Sequence, residues 1–251
     1  MKKLIAVVFA LMVPGAALAA GPSVPLDEAH VDVTNQASLQ RGAKLFTNYC
    51  LSCHSAGFSR YNRVGRDLGL TDEQVQKYLI NTTGADGDPT KIGELMKVAM
   101  TKEYGSEAFG AAAPDLTLVA RVRGADWLYT YLRSFYKDES RPFGVNNTVF
   151  ANVGMPHVLW QLQGRQEKVV RTEVDAHGHE HEVTELKLDE PGTMTPAEYN
   201  QAVLDLVTFL VYLGEPAQTD RKVLGVWVLI FLFVLFVFAY FLKKEYWKDV
   251  H

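Results

Sequence analysis

Only two cysteines occur in this 251-residue chain, Cys50 and Cys53. A zinc site would need further soft ligands, and a thioredoxin-like redox motif would need a βαβ context that the sequence does not show. His54 follows the second cysteine directly, which completes the pattern Cys-x-x-Cys-His. This pattern is typical of covalent haem attachment, because the two thiols form thioethers to the haem vinyl groups and the histidine takes one axial position on the iron.

Charged residues are absent from Val223 to Leu242, a run of 20 residues. A helix of this length, at about 1.5 Å per residue, covers the hydrocarbon core of roughly 30 Å. Trp227 and Tyr240 near its two ends resemble the aromatic belts of membrane interfaces. The sequence therefore predicts one transmembrane helix over residues 223–242, followed by a short tail at 243–251.

The N-terminus has the features of a secretory signal. Lys2 and Lys3 precede a short apolar run and a small-residue cleavage site that ends at Ala19. We expect residues 1–19 to be removed, with a short uncleaved anchor as the alternative. Export would place residues 20–220 on the periplasmic side of the inner membrane and leave the C-terminal tail in the cytoplasm.

Negative charge exceeds positive charge in the exported part. The whole chain carries a net charge of −4, to which the signal contributes +2 and residues 221–251 contribute +3, so that −9 remains between them. Such a charge repels nucleic acid and would attract a basic protein partner. General solubility is the alternative explanation.

No composition break or repeat divides this part, so we expect one core.

The exported part has a mainly helical pattern. Apolar residues recur at helical spacing in three groups: Leu39, Ala43, Phe46 and Tyr49; Trp127, Leu128, Tyr131, Leu132 and Phe135; and Tyr199, Val203, Leu206, Val207 and Leu210. Residues 71–74 and 195–198 have the composition of capping boxes that open helices. Residues 80–115 and 137–160 are rich in Gly, Pro, Asn and Asp, and we interpret both as loops.

Residues 169–188 alternate in polarity and predict a β-hairpin. Its tip carries three histidines at alternate positions, His177, His179 and His181. Imidazole is a common metal ligand, so a metal site is one hypothesis. A solvated loop is the other, because a strand tip offers no surrounding groups to orient the rings.

A second axial ligand would close the haem iron and restrict it to electron transfer. The sulfur candidates outside the signal are Met96, Met100, Met155 and Met194. Met155 lies between a glycine that permits close approach and a proline that stiffens the chain, whereas Met96 and Met100 have helical spacing and look packed. Met194 precedes a helix cap. A thioether ligand raises the reduction potential, which suits a carrier late in a respiratory chain.

At this point the chain resembles the cytochrome c1 family, the haem c subunit of the cytochrome bc1 complex. The resemblance covers almost the whole mature chain. Its ordered motifs are Arg41-Gly42, Cys50-Leu51-Ser52-Cys53-His54-Ser55, Ala113-Pro114-Asp115-Leu116-Thr117, Arg121-Val122-Arg123, Gly154-Met155-Pro156, Gly192-Thr193-Met194-Thr195, Leu213-Gly214-Glu215-Pro216 and Asp220-Arg221-Lys222.

The resemblance implies one covalently attached haem c. The residues it assigns to the cofactor are Cys50, Cys53, His54, Met155, Arg123 and Pro114. Of these, His54 and Met155 would ligate the iron, and Arg123 would pair with a haem propionate, since a guanidinium binds carboxylates in bidentate fashion. The chain departs from some family members at Trp127, where they have a tyrosine, and at His157, which follows the proline after Met155.

The implied fold is mainly α, a class I cytochrome c-like haem domain with loop insertions and a small β-hairpin, plus one C-terminal transmembrane helix.

The implied function is transfer of an electron from the Rieske iron-sulfur protein to cytochrome c, beside a cytochrome b subunit in a dimeric complex. Such a chain is no enzyme on its own. It is an electron-transfer subunit of a multi-subunit quinol–cytochrome c oxidoreductase. A tethered cytochrome c that feeds a terminal oxidase, and a haem enzyme or gas sensor with an open iron site, are the rival interpretations.

Overall fold

Helices make up most of the regular structure in the computed structural model, which describes residues 24–84, 86–174 and 180–249. The helices are, in chain order, α1 (Gln36–Leu45), α2 (Tyr61–Asp67), α3 (Asp72–Tyr78), α4 (Lys102–Phe109), α5 (Val119–Arg123), α6 (Ala125–Arg133), α7 (Trp160–Gln163), α8 (Pro196–Gly214) and α9 (Gln218–Tyr246). A π-helical turn over Phe46–Cys50 continues α1. The strands form three antiparallel pairs: β1 (Ala56–Arg60) with β2 (Leu95–Met96), β3 (Phe135–Lys137) with β4 (Val145–Asn147), and β5 (Gly164–Val174) with β6 (Glu180–Pro191).

The core forms where α1 and its π-helical turn pack against α8. Gly42 on α1 allows the close approach, because a Cβ at this position would lie 2.1 Å from the carbonyl oxygen of Asp205 on α8. Arg41 holds the buried Asp205 carboxylate with two hydrogen bonds of 2.6 and 2.9 Å. One turn further on, the rings of Phe46 and Phe209 are fully buried, with centroids 5.6 Å apart. The two helices thereby anchor the chain immediately before Cys50.

The predicted capping boxes and apolar faces are confirmed. Thr71 and Gln74 exchange side-chain and backbone hydrogen bonds at the start of α3, and Thr195 and Glu198 do the same at the start of α8. The inclusion of Phe135 in a helical face is wrong, since α6 ends at Arg133 and Phe135 begins β3. The backbone N–H of Ser134 bonds the carbonyl of Tyr131 and its hydroxyl bonds that of Thr130, which closes the last helical turn.

The interpretation of residues 80–115 and 137–160 as loops is wrong in part, because the first contains β2 and α4 and the second contains β4. The hydroxyl of Thr101 accepts the N–H of Tyr104 at 3.1 Å and opens α4, and Gly110 ends it with a φ of 74°. Met96 lies in β2 and not in a helix, although its side chain is fully buried as expected. Of these elements, β2 depends on pairing with β1, which lies more than 30 residues earlier, and composition does not record such a contact.

The predicted hairpin is confirmed and is longer than the polarity pattern indicates. Its strands pair from Gly164 opposite Pro191 to Val174 opposite Glu180. His177 and His179 lie outside the described residues, and only the backbone of His181 is described. The hypothesis of a metal site at this tip therefore stays a prediction. The predicted signal peptide at residues 1–19 also lies outside the described residues.

The last helix, α9, is 29 residues long and contains the predicted span 223–242. In the part of the chain that the structure describes, it is the one helix long and apolar enough to cross a membrane. None of its residues is buried against the rest of the chain. Its apolar side chains therefore lie free of the core that the other elements form, as expected for a membrane anchor.

Candidate haem site

The π-helical turn Phe46–Cys50 leads from α1 directly into the Cys-x-x-Cys-His motif. The backbone N–H groups of Cys53 and His54 both bond the carbonyl oxygen of Cys50, at 3.0 and 2.8 Å, so the motif forms one more tight turn. All three side chains line one cavity. Cys50 and Cys53 form no disulfide, and burial raises the pKa of the Cys50 thiol to about 12.

His54 is oriented by a single backbone group. Its Nδ1 lies 2.7 Å from the carbonyl oxygen of Pro114, and because a carbonyl only accepts, Nδ1 carries the proton. Burial lowers the pKa of His54, so the ring is neutral at pH 7. The lone pair of Nε2 is then available for a metal ion, as in metal-bound histidines whose other nitrogen donates to a carbonyl.

The Pro114 carbonyl is itself held in place by the next residues. Asp115 accepts the N–H of Gly57 at 2.7 Å through one oxygen and that of Thr117 at 2.8 Å through the other. The N–H of Leu116 bonds the carbonyl of Ser55 at 2.8 Å. The segment after Pro114 is thus held against the chain just beyond His54.

Met155 ends a segment that two asparagines shape. Asn146 accepts the N–H of Asn152 at 2.8 Å, and Asn152 adopts a left-handed φ of 59°. The buried side chain of Asn147 accepts two further backbone N–H groups of this segment. Gly154 passes close to α4, since a Cβ there would lie 3.1 Å from the carbonyl of Phe109. The close approach expected of this glycine is confirmed.

The hydroxyl of Tyr131 on α6 reaches Met155, with 3.4 Å between Oη and Sδ. Burial raises the pKa of Tyr131, so the phenol stays protonated and donates. The amide of Asn147 donates to the Tyr131 carbonyl at 2.8 Å, which ties the Met155 segment to α6. The sequence pattern placed Tyr131 on an apolar face only, and neither its contact with Met155 nor the role of Asn147 was predicted.

Arg123 lies at the C-terminus of α5 and lines the same cavity. Its guanidinium carbon is 4.9 Å from the ring centroid of Trp127 and 5.8 Å from that of Phe150. Cation–π contacts use the face of the guanidinium and leave the N–H groups at its edge free to bind a carboxylate. Trp127, where some family members have a tyrosine, therefore supports the arginine through its ring.

The cavity has a volume of about 330 Å³ and brings together all six residues assigned to the cofactor. Its other walls are predominantly apolar, with side chains from α6 and α8 and the alanines of residues 111–113. Two thiols, a neutral imidazole, a thioether and a guanidinium facing an apolar space match the chemistry of haem c. The residues therefore fit this group, and their individual roles remain predictions.

Met100 and His157 are two other candidates for the second ligand of the iron. Met100 also lines the cavity, contrary to the expectation that it is merely packed. His157 is buried away from the cavity lining, with its ring stacked on Phe135 at 4.8 Å. Among the described residues, no group of three or more His, Cys, Asp or Glu side chains is arranged to hold a metal ion.

Comparison with known proteins identifies the family of the chain. The model of the Cytochrome C1 family matches residues 28–250. The chain is 50% identical over 251 residues to cytochrome c1 of Allochromatium vinosum, covering 100% of both chains. It is 46% identical to the ammonia monooxygenase gamma subunit of Nitrosomonas europaea, covering 96% of this chain and 95% of that protein. It is 28% identical to the mitochondrial cytochrome c1 heme protein of Neurospora crassa, covering 84% of this chain and 61% of that protein. A match over nearly the whole length shows that the chain belongs to the cytochrome c1 family.

Proposed function

We propose that this chain is the haem c electron-transfer subunit of a ubiquinol–cytochrome c oxidoreductase, the bc1 complex. It accepts an electron from the Rieske iron-sulfur protein and passes it to cytochrome c. The observation that carries the proposal is the convergence of Cys50, Cys53, His54 and Met155 on one apolar cavity. The family match supports the same conclusion.

Each of the cavity residues assigned to the cofactor has a distinct role in this proposal. Cys50 and Cys53 hold one haem through thioethers, and the Pro114 carbonyl keeps His54 in the tautomer that offers Nε2 to the iron. Met155 would hold the same iron through its thioether sulfur. When bound, the haem supplies an iron that changes between the ferric and ferrous states.

Arg123 completes the site at the cavity wall. Its free N–H groups pair with a haem propionate and offset the charge that would otherwise face an apolar surrounding. Trp127 and Phe150 hold the guanidinium in place through their ring faces. The cavity thereby accepts an anionic group without burying an unpaired charge.

If both His54 and Met155 hold the iron, no position would remain on it for a substrate, so the chain would carry electrons and perform no bond chemistry by itself. A thioether ligand and an apolar surrounding both favour ferrous iron and raise the potential. This is the property that an acceptor from the Rieske centre needs. Ligation of the iron by both His54 and Met155 would also argue against a gas sensor, because a gas sensor would keep one position on the iron open.

The domain organisation follows from the same proposal. Residues 1–19 form a signal peptide, residues 20–220 a class I cytochrome c-like haem domain in the periplasm, residues 223–242 the membrane span and residues 243–251 a cytoplasmic tail. The apolar helix α9 supports the membrane anchor. In the bilayer it lies beside cytochrome b within a dimeric complex.

Purification of the full chain from its native membranes tests this assignment. The proposal predicts cytochrome b and the Rieske protein as stoichiometric partners. Recovery with the subunits of a monooxygenase would contradict the proposal and would instead match the name of the Nitrosomonas relative, ammonia monooxygenase gamma subunit. Recovery with a terminal oxidase would support the tethered electron donor.

A further inference from the structure

Tyr131 holds the sulfur of Met155 by a specific contact. The phenol has one proton to donate and a thioether can only accept, so the O–H bond points toward Sδ across 3.4 Å. Both side chains line the cavity, and Tyr131 is only 8% exposed. Water therefore does not compete freely for this hydroxyl.

The Tyr131 ring packs against two other aromatic rings, and its backbone is held by a hydrogen bond. It stacks on Trp127 with centroids 4.8 Å apart and planes at 10°, and it meets the edge of Phe135 at 5.2 Å. Its backbone carbonyl accepts the hydrogen bond from Asn147. The hydroxyl cannot leave Sδ without disturbing these contacts, so its position is set in advance of cofactor binding.

We propose that Tyr131 is a positioning residue for Met155 and that its hydrogen bond raises the reduction potential of the haem. The inference rests on the proposed function, in which Met155 ligates the iron. It assigns to Tyr131 an electronic role that apolar packing alone would not have.

The direction of the effect follows from the charge on the iron. A thioether sulfur has two lone pairs, one for the iron and one for the Tyr131 proton. The O–H dipole draws electron density from the sulfur and places its positive end near the metal. Ferric iron carries the larger positive charge and depends more on donation from sulfur, so it is destabilised relative to ferrous iron. The low dielectric of a buried site strengthens this effect.

The test is Tyr131→Phe in the full chain carrying its haem, since the ring and its stacking are retained. We expect a three- to tenfold shift of the one-electron equilibrium toward the oxidised form, where tenfold is about 59 mV. The sulfur-to-iron charge-transfer absorption of the ferric protein should change with it. A redox titration and the ferric spectrum measure both.

Tyr199→Phe is the matched control. It removes a buried hydroxyl that donates to the carbonyl of Leu132, the next residue along α6, at 2.8 Å, and Tyr199 does not line the cavity. We expect its potential and spectrum to stay unchanged. An equal shift in both variants, or no shift in Tyr131→Phe, would overturn the inference.

Two methionine variants separate this inference from the proposed function. Met155→Leu should abolish the sulfur-to-iron absorption, and Met100→Leu should retain it. If Met155→Leu retained the absorption, the proposed ligation would fail. If Met155→Leu abolished it while Tyr131→Phe left the potential unchanged, only the role of Tyr131 would be overturned.

Discussion

Replacing Asn147 with alanine would remove the side chain that ties the Met155 segment to α6. Asn147 is 1% exposed, donates to the Tyr131 carbonyl at 2.8 Å, and accepts the N–H groups of Val149 and Phe150 at 2.9 and 3.1 Å. Each such hydrogen bond contributes about 0.5–1.5 kcal/mol net, so losing all three should cost about 2–4 kcal/mol. For a chain of this size that corresponds to a fall of roughly 5–15 °C in the unfolding midpoint.

Thermal unfolding of the full chain in detergent, followed by circular dichroism, measures this change. The control is Asn48→Ala, because Asn48 is exposed and donates one hydrogen bond to the carbonyl of Lys44. An exposed substitution of this kind should alter stability by no more than about 0.5 kcal/mol. Equal midpoints for the Asn147 and Asn48 variants would refute the anchoring role of Asn147.

Two other predictions concern the contacts around α8. Gly42→Ala should lower the free energy of unfolding by at least about 1–3 kcal/mol, because the new Cβ would overlap the Asp205 carbonyl. Gly93→Ala is the control, because a Cβ at position 93 would have no atom within 4 Å. Its unfolding midpoint should stay unchanged in the same assay. The Arg221 guanidinium lowers the pKa of Glu215 from 4.5, so the stability from this contact is present above pH 4.5 and is lost as the pH falls through the lower folded-state pKa. Glu215→Gln should remove that part of the acid sensitivity between pH 7 and pH 3, and an unchanged pH profile would contradict it.

The features that could be predicted from the sequence are those encoded by neighbouring residues. The haem motif occupies residues 50–54, the capping box of α8 spans four residues, and the anchor is one uninterrupted apolar run. Each of these signals has a local physical cause, such as a side chain bonding the nearest free N–H group. The alternation of polar and apolar residues in the β5–β6 hairpin is also a local signal of this kind.

The features that could not be predicted depend on contacts between distant parts of the chain. Tyr131 and Met155 are 24 residues apart, and the Asn147 amide reaches a carbonyl 16 residues away. The spacing of Tyr131 on α6 indicates only that it faces inward. Met100 reaches the cavity because the segment between β2 and α4 folds over it, which no periodicity shows. The residue types at the candidate site could therefore be predicted, but the contacts that Tyr131, Asn147 and Met100 make there could not.

In the function proposed for this chain, its haem receives electrons from quinol by way of a Rieske centre. The most direct measurement is the visible spectrum of the haem in native membranes as ubiquinol is added, with and without an inhibitor of the quinol-oxidation site. We predict rapid reduction that the inhibitor blocks. Reduction that ignores the inhibitor, or that requires an added soluble donor, would contradict the claim.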